Sequence, residues 1–259
     1  MKVTVLIENT TLRDDLHAEH GLSLYIETDK HRILFDSGQT GAFADNAEKL
    51  GIDLTQVDLC ILSHGHYDHG GGLKRFLEIN SQAPVYINRH AFGEYFSSGE
   101  YIGLDPALEA EPRLICVDDV LELADGITLC SCNDLLRPFS FGVFGQSVRK
   151  NRIHTDDDYL HEQYLLLEEK GRKYCFSGCS HKGLLNILSW FRPDAFFGGF
   201  HFIRMDPQGR ELCDALHQLQ KFPARYFTGH CTGQAQYAAL KEALGDRIGY
   251  LHTGTAVTL

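Results

Sequence analysis

Positive charge is in short supply in this chain. Lys and Arg number 24 against 35 Asp and Glu, a formal net charge of −11 with His neutral. A nucleic-acid footprint needs a basic patch or stripe, so that class of partner is set aside. The acidic balance itself reports solubility. Also missing is any apolar run of about 18 residues or more, which argues against a membrane span. The opening MKVTVLIENT has neither a long apolar core nor a small-residue cleavage site, and reads as a strand rather than a secretion signal. Cys60, Cys116, Cys130, Cys132, Cys175, Cys179, Cys213 and Cys231 are scattered. In a chain this large they do not form a disulfide framework. No short repeat is present. The expectation is a cytoplasmic protein with a small-molecule partner, no nucleic acid and no membrane, its oligomeric state left open.

What is present is ordinary globular material. The 259 residues suit one domain over 1–259, and 43% hydrophobic with 23% charged residues supply a core and a solvated surface. KVTVLIE and LSLYIET are strand-like, and RILFDSG is a short apolar strand ending in Asp36. GAFADNAEKLG reads as a helix closed by Gly51, VDLCILS as a buried strand, and GGLKRFLEIN as the helix after it. PVYINRH is a strand; AFGEYFSSGEYIGLDPALEAEPR reads as a loop or lid. Short strands with a turn at Asp125–Gly126 follow, then an irregular stretch, RPFSFGVFGQSVRKNRIHTDDD. EQYLLLEEKGRKYCFSG reads as a hairpin, HKGLLNILSWF as a helix stopped by Pro193, and DAFFGGFH as a strand. ELCDALHQLQKF (helix), ARYFTGH (strand), QAQYAALKEALG (helix) and IGYLHTGTAVTL, a closing strand pair, complete the chain. Strands followed by strand–helix units in each half are compatible with an α/β fold, a four-layer αββα sandwich.

Residues 63–72, SHGHYDHGGG, place His64, His66, Asp68 and His69 at the carboxyl end of a buried strand. His64 and His66 point the same way in extended backbone. Imidazoles with one carboxylate suit Zn²⁺, and also Fe or Mn. The glycines let backbone approach closely. Four other apolar strands end in Asp36, in Cys179 with His181, in His201, and in His230 with Cys231. The recurrence reads as convergence on one metal centre.

HGHYDH resembles the H-x-H-x-D-H signature of the metallo-β-lactamase superfamily. The resemblance implies that Asp36 in FDSG orients the metal-binding loop, that Cys179 stands where many members carry a bridging Asp, and that His230 is the late His ligand. GCSHKGLLNIL, GGFH and GHCTG are similar to the subgroup of 7,8-dihydropterin-6-methyl-4-(β-D-ribofuranosyl)aminobenzene 5′-phosphate synthase-like proteins. The superfamily's usual G-H-x-x-G loop is absent, so the third histidine is His181, His154 or His161, with His181 preferred. The resemblance then implies two divalent ions, zinc first with Mn or Fe as alternatives. His64, His66 and the third His hold one; Asp68, His69 and His230 hold the other, with Cys179 nearby or bound.

The chemistry implied is a metal-activated hydroxide attacking a small ester, lactone or phosphate-containing substrate. Asp68 orients the nucleophile, and His201 contacts substrate, protonates a leaving group or makes a supporting hydrogen bond. Alternatives are a synthase-like transferase and a non-catalytic metal-bound sensor. His66 stands where the related flavodiiron reductases commonly carry Glu, which favours hydrolytic over redox chemistry. SVRKNR (147–152) is a candidate for holding an anionic group, or a solvated loop; Phe139, Phe141 and Phe144 wall a pocket or belong to the core. Alternating Cys130 and Cys132 read as packing, and Cys175 with Cys179 is discounted as a ligand pair.

Overall fold

The computed structural model describes residues 1–140 and 145–259. In chain order the first strands are β1 (Lys2–Ile7), β2 (Ser23–Glu27), β3 (Arg32–Phe35), β4 (Leu59–Ile61) and β5 (Val85–Asn88). Next come β6 (Glu94–Ser97), β7 (Glu100–Tyr101), β8 (Leu114–Val117), β9 (Val120–Ala124) and β10 (Ile127–Cys130). Then follow β11 (Gln146–Lys150), β12 (Ile153–Asp156), β13 (Tyr164–Glu169) and β14 (Arg172–Phe176). The last are β15 (Ala195–Phe197), β16 (Arg225–Thr228), β17 (Ile248–Tyr250) and β18 (Ala256–Thr258). The helices are α1 (Ala42–Lys49), α2 (Tyr67–Gly70), α3 (Leu73–Ile79), α4 (Leu184–Phe191), α5 (Arg210–Leu219) and α6 (Gln234–Leu244).

Two seven-stranded sheets result, ordered β18-β1-β2-β3-β4-β5-β8 and β17-β16-β15-β14-β13-β10-β9. Each changes character along its width. β1, β2 and β3 are antiparallel, whereas β3, β4, β5 and β8 are parallel. In the second sheet β9, β10, β13 and β14 are antiparallel, and β14 to β17 parallel.

The period of two along each strand makes the layers. Ile33 and Phe35 of β3, with Phe176 of β14 and Phe197 of β15, belong to a core between the sheets. Leu34, one position along, packs with Phe43 of α1 and Phe76 of α3. On the other side Cys175 and Phe196 pack with Ile187 of α4, Leu212 of α5 and Leu240 of α6. Helices therefore cover the outer face of each sheet, which is the four-layer αββα sandwich expected. Every parallel strand buried on both faces delivers its carboxyl end to one edge, the usual place for a site in open α/β sheets.

Three segments differ from expectation. The stretches read as a lid and as irregular chain contain β6, β7, β11 and β12, a third, four-stranded sheet ordered β12-β11-β6-β7. IGYLHTGTAVTL is not a strand pair: β17 ends the second sheet beside β16, and β18 pairs with β1 in the first. α4 begins at Leu184, so His181 sits in the turn before the helix.

Candidate metal centre

Asp36 leaves β3 in the left-handed region, at φ 60°. Its Oδ1 accepts the Ser63 N–H at 2.7 Å and its Oδ2 the Ser63 hydroxyl at 2.8 Å. The same Oδ2 lies 2.7 Å from His69 Nδ1. With its proton given to Asp36, the Ser63 hydroxyl oxygen is left to accept from His64 Nδ1, 2.8 Å away. Both contacts put protons on Nδ1 and turn the Nε2 atoms away from the carboxylate, that of His64 bare and that of His69 towards Cys179 and His230. The glycines after the motif do allow close approach: a Cβ on Gly72 would stand 2.2 Å from the Ser37 carbonyl oxygen.

His64 Nε2, His66 Nε2 and both ring nitrogens of His181 are buried without a hydrogen-bond partner. Buried polar atoms are ordinarily paired, so this concentration is a departure that asks for a ligand. The three rings stand in a near-equilateral triangle, with centroids 4.5 Å (His64–His66), 4.9 Å (His64–His181) and 5.0 Å (His66–His181) apart. Donor atoms of His64, Cys179 and His181 lie within 4.8 Å of one another, as do those of His69, Cys179 and His230. Burial and neighbouring imidazoles hold His64 and His66 well below the usual histidine range. Burial and the adjacent His201 do the same for His181. Neutral imidazoles are the form a metal ion needs, and the donor set fits a divalent cation.

The second cluster is tied by Asp68. Its Oδ2 lies 3.3 Å from His230 Nε2 and 3.7 Å from His69 Nε2. Burial opposes ionisation of Asp68, but the positive field of His69 and the bonds from His20 and His230 win and keep it well below the carboxylate range. Burial likewise opposes a charge on His69, yet Asp36 and Asp68 push it up to about 9. Cys179 Sγ is 3.3 Å from His69 Nε2, and His69 and His230 approach Nε2 to Nε2 at 3.2 Å. His230 adopts φ 51°, its N–H donating to Glu8 Oε1 at 2.5 Å and its Nδ1 lying 2.8 Å from Asn9 Oδ1.

The three candidate histidines have different surroundings, and the donor atoms of His66, Asp157 and His161 also lie within 4.8 Å of one another. His154 is exposed on β12 against the Phe96 ring, away from the cluster. His161 is buried, but Gly65 N–H donates to its Nδ1 at 3.0 Å and its Nε2 meets Asp157 Oδ2 at 3.1 Å, which occupies both nitrogens. His181 alone of the three has both nitrogens bare, and Tyr159 stacks on it at 4.7 Å.

An open cleft of about 250 Å³ reaches the cluster. Asp68, His181, His201, His230, Cys231 and Arg204 are among its walls. SVRKNR is not: it forms β11 and the turn after it, where Arg149 is paired with Glu94, and Lys150 with Asp158 at 3.6 Å. Of the two readings of this segment, the solvated one agrees with an exposed, ion-paired hairpin. Phe139 faces a different cavity beside Phe202 and Met205, while Phe141 and Phe144 lie outside the described residues. Cys175 packs under the helices, apart from Cys179. Cys130 and Cys132 are more than packing neighbours, with Sγ atoms 3.2 Å apart.

Sequence reasoning missed His20. Its Nε2 lies 3.2 Å from Asp68 Oδ2 and its ring 4.8 Å from that of His230, at the half-open mouth of the cleft. It comes from the loop between β1 and β2, where a lone histidine has no spacing to mark it.

The family model of the metallo-beta-lactamase superfamily matches residues 18–128. A Methanocaldococcus jannaschii protein named 7,8-dihydropterin-6-methyl-4-(beta-D-ribofuranosyl)-aminobenzene-5'-phosphate synthase is 28% identical, over 93% of this chain and 90% of its own. An uncharacterised protein of the same organism is 26% identical, over 98% of this chain and 99% of its own. A crystal structure described as a metal-dependent hydrolase of the beta-lactamase superfamily superposes with a TM-score of 0.84 at 25% identity, covering 100% of this chain and 99% of that one. The similar region thus spans both sheets and all the strand ends that build the cluster. No helix among the described residues is long and apolar enough to cross a membrane.

Proposed function

We propose that this chain, which is similar to the metallo-β-lactamase superfamily, is a hydrolase with a dinuclear metal centre acting on a small ester-, lactone- or phosphate-containing substrate. The observation that carries this is the set of buried, partnerless nitrogens on His64, His66 and His181, with donor atoms of His64 and His181 within 4.8 Å of Cys179. His64, His66 and His181 would hold one ion, and Asp68, His69 and His230 the other, with Cys179 nearby or bound. Zinc suits this donor set best, and Mn or Fe remain alternatives. Bound there, such ions act as Lewis acids and lower the pKa of a coordinated water from about 15.7 towards about 7.

The protein's own groups do the rest. Asp36 fixes His69 and, through Ser63, His64. Asp68, ionised and buried at the wall of the cleft, orients the attacking water and receives its proton at Oδ2. His201 lines the cleft wall, where it presents an imidazole to the leaving group. Arg204, on the same wall, suits an anionic substituent such as phosphate.

The named relative favours a second reading, a synthase-like transferase. That reaction needs room for a pterin and a ribosyl phosphate together, and the cleft of about 250 Å³ falls below the roughly 300–1,000 Å³ usual for such ligands. Hydrolysis of a smaller substrate fits better. Chelator-stripped and metal-reloaded protein, assayed on phosphodiesters, thioesters and lactones, tests the proposal. Turnover should vanish on stripping and return with zinc, manganese or iron. Asp68→Ala should lower it by at least about 10²-fold while the circular dichroism spectrum is kept. Full turnover by metal-free protein sinks the hydrolase reading, and formation of the pterin conjugate would favour the synthase.

A further inference from the structure

Cys231 has no role in the centre just described, and His201 has none as a ligand, yet the chain takes trouble to bring them to it. Cys231 is 5% exposed, and its thiol lies 3.6 Å from the Cys179 carbonyl oxygen. It fits there only because residue 199 is glycine, for a Cβ on Gly199 would stand 2.3 Å from Cys231 Sγ. Two residues later His201 is held in the left-handed region at φ 58°, its ring 4.4 Å from that of His181. GGFH and GHC, two strands' ends apart in sequence, therefore interlock: one supplies the notch and an imidazole, the other the thiol that fills the notch. The donor atoms of Cys179, His201 and Cys231 all lie within 4.8 Å of one another. All three residues border the open cleft, so a fourth position is accessible to water or substrate.

We propose that Cys179, His201 and Cys231 form a third, sulfur-rich metal position, selective for a soft divalent ion such as zinc, that shares Cys179 with the dinuclear centre. Two thiolates and an imidazole with one open position is a donor set used by catalytic zinc sites, and thiolates disfavour manganese and magnesium. Ligand thiols lose their protons to solvent when the ion binds. The proposal extends the dinuclear reading, from which it borrows Cys179, and it replaces the leaving-group contact given to His201 above with ligation.

Cadmium, a soft zinc analogue rich in thiolate absorption, is the probe. Reduced, metal-stripped full-length protein is titrated with Cd²⁺, reading bound metal by elemental analysis and the thiolate-to-cadmium charge-transfer absorption. Cys231→Ser should bind one ion fewer per chain and lose roughly half the absorption, one of two thiolates. His201→Ala should lose the same ion. Gly199→Ala, which keeps Cys231 but expels its thiol from the notch, should copy Cys231→Ser and decides the matter if that variant fails to fold. His66→Ala should lower the count yet leave the Cys231-dependent absorption in place. If His66→Ala binds as much metal as wild type, the dinuclear reading fails while the Cys231 result stands by itself. Equal stoichiometry and spectra in wild type, Cys231→Ser and Gly199→Ala overturn the proposal.

Discussion

Asp36 Oδ2 and His69 Nδ1 lie 2.7 Å apart with both side chains sealed from solvent. The carboxylate also accepts two bonds from Ser63, so one residue at the end of β3 sets the rotamers of two candidate ligands from the end of β4. Asn in place of Asp keeps the shape and tolerates φ 60°. It removes the charge that holds the proton on Nδ1. Asp36→Asn should therefore fold but melt below the wild type, because its buried amide nitrogen must face a donor, and hold metal about 10–100-fold more weakly in a chelator competition. Unchanged affinity would show that Asp36 serves packing only.

Much of this site is legible in the sequence because its parts are local. SHGHYDHGGG sits in ten consecutive residues, and Asp36, Cys179, His201 and His230 each fall within four residues of the end of an apolar strand. The layering is legible too, because Leu34 and Phe196 alternate with neighbours of the opposite facing. What fails is non-local. β12 is exposed at every position and β7 is two exposed residues, so neither shows an alternation to read. β17 and β18 look like a hairpin, but each finds its partner far away in sequence, at β16 and β1. His20 reaches Asp68 across forty-eight positions of chain, and nothing in HAEHGLS announces it.

The choice among histidines is open to direct test. His181→Ala removes bare nitrogens and should lower bound metal by one ion per chain. His154→Ala removes an exposed ring and should leave metal and stability within about 0.5 kcal/mol of wild type. His161→Ala should act differently again, since it strands the Gly65 N–H and the Asp157 carboxylate. A loss of about 1–3 kcal/mol in urea denaturation is expected, with metal content largely kept. Loss of metal from His161→Ala together with full content in His181→Ala would reverse the assignment.

Behind His181 lies a fully buried support. The Glu162 carboxylate accepts the His181 N–H at 2.6 Å, the Lys182 N–H at 2.9 Å and the Tyr164 hydroxyl at 2.6 Å. Lys182 Nζ donates to the carbonyls of Ser131 and Glu162 at 2.6 and 2.7 Å, and burial brings its pKa down to about 8. Glu162→Ala leaves three buried donors unpaired and a lysine without its nearest countercharge. Destabilisation of about 3–5 kcal/mol is expected from the midpoint of urea unfolding. Glu162→Gln, which keeps the acceptor oxygen, should lose distinctly less; equal losses would mean that charge rather than hydrogen bonding holds the turn.

Two basic groups compete for the role of anion contact, and only one of them lines the cleft. Arg149 and Lys150 stand on an exposed hairpin, already paired with Glu94 and Asp158. Arg204 stands on the wall of the cleft with Asp68, His201 and His230. Inorganic phosphate, used as a competitive probe, should therefore bind about tenfold more weakly to Arg204→Ala, the equivalent of one charge-assisted contact at roughly 1.4 kcal/mol. Arg149→Ala and Lys150→Ala should leave its inhibition constant unchanged, because their charges are spent on neighbours and screened by salt. The reverse pattern would move the anion-binding face from the cleft to the hairpin, and would require the third sheet to close over the metal centre during turnover.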